Sequence, residues 1–118
     1  MDERRTLRVS EALREELAEL IGFELDDPRL TAVEVTETHV SPDGQHAHVK
    51  VAVRNPEQAQ KESLQALDHA KNYLRRELAS RLQLRHVPEL HFDIDRNADV
   101  DSRINFLLRR AKRSSGEK

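Results

Sequence analysis

Two prolines, Pro56 and Pro88, bracket a stretch that keeps one helical period throughout, and the chain changes character at the second of them. Ala59, Ser63, Leu67, Ala70, Leu74, Leu78 and Leu82 recur at spacings of three and four, which places them on one face of a helix. Asn55 is a capping residue, Pro56 suits the first helical position, and Gln58 completes a capping-box pattern. Beyond Pro88 the period drops to two. Leu90, Phe92 and Ile94 point one way and Glu89, His91, Asp93 and Asp95 the other, as in a half-buried strand with an acidic face. One rod from Pro56 to Leu84 would span roughly 40 Å. A compact chain of this size has a radius of gyration of only about 13–14 Å. The helix is therefore expected to break, and Ala70–Asn72 is the weakest point because Asn72 tolerates the left-handed conformation.

The segments before Pro56 complete the fold class. Val9, Leu13, Leu17, Leu20 and Ile21 form an apolar stripe, so a helix is expected over Thr6–Gly22, with Gly22 as terminator. "TAVEVTETHV" reads as a strand in which Val40 is out of phase with Val33 and Val35, implying a bulge near Thr36–Thr38. "SPDG" at Ser41–Gly44 is turn chemistry, and Ala47, Val49, Val51 and Val53 alternate in a second strand. A last helix is expected from about Asp99 to Lys112, where Val100, Ile104, Leu107, Leu108 and Ala111 recur, and "SSGEK" ends the chain. Three strands cannot cover both faces of a sheet, so the helices should pack on one face. The reading is an α+β domain spanning residues 1–112, with a polar and basic tail at 113–118.

At 118 residues with 36% hydrophobic and 3% aromatic content, one small core of Leu, Val and Ala is expected. The absence of cysteine excludes disulfides and thiolate metal sites. No apolar run approaches membrane-span length and no signal peptide opens the chain, so a cytosolic protein is expected. Net charge is −2, close to neutral, but its distribution is bipolar. Arg4, Arg5 and Arg8 open the chain and Arg109, Arg110, Lys112 and Arg113 close it, with acids concentrated between.

Four stretches together carry a family resemblance: "RVSEALREELAELI", "DDPRL" at Asp26–Leu30, "VSPDGQHAHVKVAV", and "LRRELASRLQLRHVPELHFDID" followed by "SRINFLL". From Leu7 to Leu108 the chain resembles ribosome-binding factor A, the bacterial small-subunit maturation family. The resemblance implies a type II KH-like fold and a factor that binds 16S rRNA on immature 30S subunits. It further implies no catalytic activity and no cofactor. KH domains ordinarily clamp RNA with a GXXG loop, and none occurs here. The family carries an Ala-x-Gly kink instead, and the matching positions read Ala70–Lys71–Asn72.

The RNA-binding candidates are Lys71, Arg75, Arg76, Arg81 and Arg85 on the second half of the long helix, together with Arg4, Arg5, Arg8, Arg109 and Arg110. Arginine forks match phosphate geometry and stack on exposed bases. A solvated helix face is the plain alternative, and Glu77–Arg81 has the spacing of an intrahelical pair. Asp26 and Asp27 with Arg29 read as a turn rather than a catalytic carboxylate pair. "DIDRNADVD" imitates a calcium loop, yet Ala98 and Ile104 stand where Gly and Glu are required. His39, His46 and His48 share the outer face of the hairpin and read as a polar surface, with no metal expected. The two functional classes are a monomeric RNA-binding assembly factor and a protein-interaction module that uses the acidic strand face without RNA.

Overall fold

A computed structural model describes residues 3–53 and 57–96. In chain order these form α1 (Glu3–Glu19), a π-helical turn (Leu20–Glu24), a 3-10 turn (Pro28–Leu30), β1 (Val33–Val40), β2 (His46–Val53), α2 (Glu57–Leu82) and β3 (Glu89–Ile94). The strands make one sheet in the order β1-β2-β3. β1 and β2 are an antiparallel hairpin, whereas β2 and β3 are parallel. Parallel neighbours need a crossover, and α2 supplies it. The arrangement is α+β and consistent with a type II KH-like domain. The expected helix at 99–112 and the capping pattern at Asn55–Pro56 lie outside the described residues.

The core sits on one face of the sheet. Val33, Val35, Val40, Ala47, Val49, Val51 and Val53 project into it from the hairpin and Leu90 from β3. They meet Leu13, Leu17, Leu20 and Ile21 from the first helical segment and Ala66, Leu67, Leu74 and Leu78 from α2. The bulge implied by Val40 is present. The ladder shifts register between Val35 and Glu37, so Thr36 is the extra residue and Val40 returns inward opposite Ala47. The Thr36 hydroxyl donates 2.6 Å to Asp95 Oδ2, tying the bulge to the end of β3 across the central strand.

Two helix boundaries differ from the sequence reading. Gly22 does not end the first helix. The chain continues through the π-helical turn, closed by Leu25 N–H donating to Leu20 O at 2.8 Å, and this turn buries both Leu20 and Ile21.

The second difference is larger: the helix pair expected about Ala70–Asn72 is a single helix of 26 residues. At 1.5 Å per residue the helix is about 39 Å long, comparable to the longest extent of a body measuring 36 × 34 × 26 Å with a radius of gyration of 14.1 Å. The stripe Ser63, Ala66, Leu67, Ala70, Leu74, Leu78 keeps its phase through Asn72, which stays helical with its side chain in solvent. Gln83 is the left-handed residue instead, at φ 52°. Leu84 N–H then donates to Ala79 O at 3.1 Å, the six-to-one bond of a Schellman cap, with Ala79 and Leu84 both packed against the core. The cap turns the chain toward Pro88 and β3.

Candidate nucleic-acid interface

The five basic candidates of α2 and its C-terminal cap have different surroundings, because the fold brings acids to some of them and leaves others in solvent. Arg81 is the most heavily paired. Its Nη1 and Nη2 donate to the two carboxylate oxygens of Glu24 at 2.8 and 2.6 Å, a two-pronged pairing. Its Nε donates to Glu77 at 3.3 Å, and Glu16 lies 3.6 Å from Nη1. One guanidinium thus joins α1, the π-helical turn and α2. The Glu24 pairing raises the Arg81 pKa, and Glu24 is held below the usual carboxylate range by the same hydrogen bonds.

Arg75 is also engaged, donating through Nη2 to Val87 O at 2.8 Å, which anchors the approach to Pro88. Lys71 pairs with Asp68 at 3.1 Å. Arg76 and Arg85 differ: both are exposed and, among the described residues, neither forms an ion pair. Arg4, Arg5 and Arg8 lie exposed on the first turns of α1. Arg109 and Arg110 lie outside the described residues. Arg81, an RNA-binding candidate with Glu77 at pairing distance in sequence, is thus held by three acids rather than by Glu77 alone. Glu77 was visible at helical spacing, but Glu24 and Glu16 reach Arg81 only through tertiary packing. Leu82 and Leu84 pack against the core, each half-buried.

The connector "DDPRL" is a structural element. Asp27 caps the 3-10 turn by accepting from Arg29 N–H at 2.9 Å, and its carboxylate also takes the Arg29 guanidinium at 3.2 and 2.9 Å. The buried Ser63 hydroxyl of α2 donates to Arg29 O at 2.9 Å, which fastens this turn to the long helix. The hairpin turn has a similar local logic. Asp43 accepts from the Ser41 hydroxyl at 2.6 Å and from Gln45 N–H at 3.0 Å, while Gly44 supplies the required positive φ of 75°.

With this geometry in hand, similarity to known proteins decides the family. The ribosome-binding factor A pattern matches residues 5–108. The chain belongs to the ribosome-binding factor A family. The ribosome-binding factor A of Solibacter usitatus (strain Ellin6076) is 66% identical over 116 residues, covering 98% of this chain and 94% of that relative. The Thermomicrobium roseum protein of the same name is 43% identical over 105 residues, covering 89% of this chain and 81% of its own. The crystal structure of ribosome-binding factor A from Thermus thermophilus superposes with a TM-score of 0.70 at 32% identity, over 80% of this chain and 99% of the other. A homology model of the Thermus thermophilus factor, fitted into a cryo-EM map of its 30S complex, gives a TM-score of 0.61 at 29% identity, over 84% and 100% of the two chains.

In this member of the ribosome-binding factor A family, hydrogen-bonded surface acids add a pH dependence to stability in the acid range. Glu24, Glu11, Asp27 and Asp43 all titrate below their ordinary values, held down first by side-chain hydrogen bonds from Arg81, Arg14, Arg29 and Ser41 respectively. A depressed folded pKa contributes stability above the unfolded value, 4.5 for Glu and 3.8 for Asp, and that stability is lost as pH falls through the lower folded value. Through these groups, urea midpoints should change little from neutrality to about pH 5 and decline modestly below about pH 4. Glu24→Gln should lower the neutral-pH midpoint and make the acid decline shallower. An unchanged acid decline in E24Q would show that this pair does not contribute to it.

Proposed function

We propose that the protein binds 16S rRNA on immature 30S subunits and assists late small-subunit maturation, as a cytoplasmic monomer acting by recognition rather than catalysis. The reading is carried by the likeness, over most of the chain, to the Thermus thermophilus factor whose homology model was fitted into a map of its 30S complex. The charge layout supports it. With a net charge of −2, attraction to RNA must be local rather than global. The exposed Arg76 and Arg85, together with Arg4, Arg5 and Arg8, are the groups best placed to meet phosphates. Glu89 and Asp93 stand exposed on β3 and repel phosphates from that face, which favours one docking orientation.

Sedimentation through a sucrose gradient with precursor and with mature 30S particles tests the proposal. The protein should comigrate with the precursor at low salt, bind the mature particle less, and be released as salt rises. Failure to comigrate with either particle at low salt would favour the reading in which the acidic strand face binds a protein.

A further inference from the structure

The open face of the sheet carries an imidazole cluster whose composition is set by register. The hairpin places His39 opposite His48. The parallel ladder places His46 opposite Glu89 and His48 opposite His91. His39 turns away to Glu37, with Nε2 2.6 Å from the carboxylate. The other imidazoles converge. His46 Nδ1 is 2.9 Å from His91 Nε2, and Glu89 Oε1 is 3.9 Å from that same nitrogen. One ligand atom from each of His46, Glu89 and His91 lies within 4.8 Å of the other two. The His48 ring stacks on His91 with centroids 5.1 Å apart, so it braces the plane of that ring.

We propose that His46, Glu89 and His91 form a binding site for a divalent transition metal of the zinc class on the outer face of β2 and β3. Zinc takes imidazole nitrogen at about 2.0–2.1 Å and carboxylate oxygen at about 2.0–2.2 Å in tetrahedral geometry, so ligand atoms lie about 3.3–3.5 Å apart. The His46–His91 and Glu89–His91 separations of 2.9 and 3.9 Å bracket that spacing, and all three ligand atoms lie within 4.8 Å of one another, so side-chain rotation is needed to reach it. Two imidazoles and one carboxylate suit zinc in charge and softness. They leave a fourth position toward solvent, open to water. The backbone of the set is held by the ladder and by Glu89 N–H donating to Gln45 O at 2.9 Å. The metal would clip β3 to β2 at the hairpin end of the sheet. A hydrogen bond between the two rings is the competing account of the close His46–His91 contact, and it needs no metal.

Isothermal titration of the full chain with zinc chloride separates the two accounts, read alongside the melting temperature with and without zinc. The wild type should take up one zinc per chain and melt higher with it. His46→Ala and His91→Ala should each weaken binding by at least about tenfold, the lower end of what even outer-shell changes cost. Both should abolish the zinc-dependent rise in melting temperature, Glu89→Gln should weaken binding to a lesser degree, and His39→Ala should leave it intact. The side chains are exposed or half-buried, so the zinc-free melting temperatures verify that each variant folds. No saturable one-to-one binding, or binding that survives His46→Ala and His91→Ala together, overturns the proposal.

Discussion

Asn72→Pro should destabilise the protein by roughly 3 kcal/mol or more, because it places proline in the interior of an unbroken helix. Asn72 lies exposed in the middle of the 26-residue α2, so the substitution fills no space and removes no buried side chain. What it removes is one backbone hydrogen bond, and the proline ring meets the carbonyl of Asp68 one turn back. Domains of this size are stable by about 5–15 kcal/mol, so a loss on that scale moves the urea midpoint far. Were the chain two helices meeting at this point, proline would fall at a helix start and cost little. Equilibrium unfolding of N72P therefore distinguishes the continuous helix from a jointed one. Asn72→Ala is the control and should be neutral or mildly stabilising.

Leu74→Ala should cost about 2–5 kcal/mol, the range for deleting a leucine side chain from a packed core. Leu74 is fully buried within the cluster that also contains Leu67, Leu78, Val49 and Leu90. Removing it leaves a cavity that neighbours on a rigid helix and sheet cannot readily close. The adjacent Tyr73, 38% exposed, is the comparison. Tyr73→Ala should change stability by less than about 0.5 kcal/mol beyond its helix-propensity effect. A near-equal cost for the two substitutions would contradict the placement of α2 on the sheet.

Residues that carry a period or local turn chemistry announced their structure in the sequence. The stripe of α1, the alternation after Pro88, the Ser41–Gly44 turn and the Asp27 cap all depend on neighbours within a few positions. Even the bulge was legible, because Val40 could reach the core only if one residue were inserted. A small radius of gyration does not limit helix length, so compactness does not require α2 to break. The unbroken phase from Ser63 to Leu78 was the better guide, since a side chain permissive of the left-handed conformation does not impose it. Gln83 adopts that conformation without being glycine or asparagine, so only the chain reversal and Leu84 packing explain it.

The candidate interface was legible as a set of basic residues but not as individuals. The pairing of Arg81 with Glu24, and the bond from Arg75 to Val87 O, join positions remote in sequence, so no helical spacing points to them. His91 joined the imidazole cluster for the same reason. Hairpin alternation groups His39, His46 and His48, whereas the parallel register that adds His91 is set only when α2 crosses over.

The central claim is that the solvent-exposed Arg76 and Arg85, rather than the acid-paired Arg81, meet ribosomal RNA. The direct test is the salt dependence of affinity for precursor 30S particles, measured for the wild type, for Arg76→Ala with Arg85→Ala, and for Arg81→Ala. Each lost phosphate contact should flatten the log–log slope by about 0.7–0.9 units. The double variant should therefore bind more weakly, with a slope flatter by about one to two units and a nearly unchanged melting temperature. Arg81→Ala should melt lower, since it strands Glu24, Glu77 and Glu16 together, yet keep the wild-type slope. A double variant with unaltered affinity and slope, or an Arg81→Ala slope flattened as much as the pair, would contradict the account.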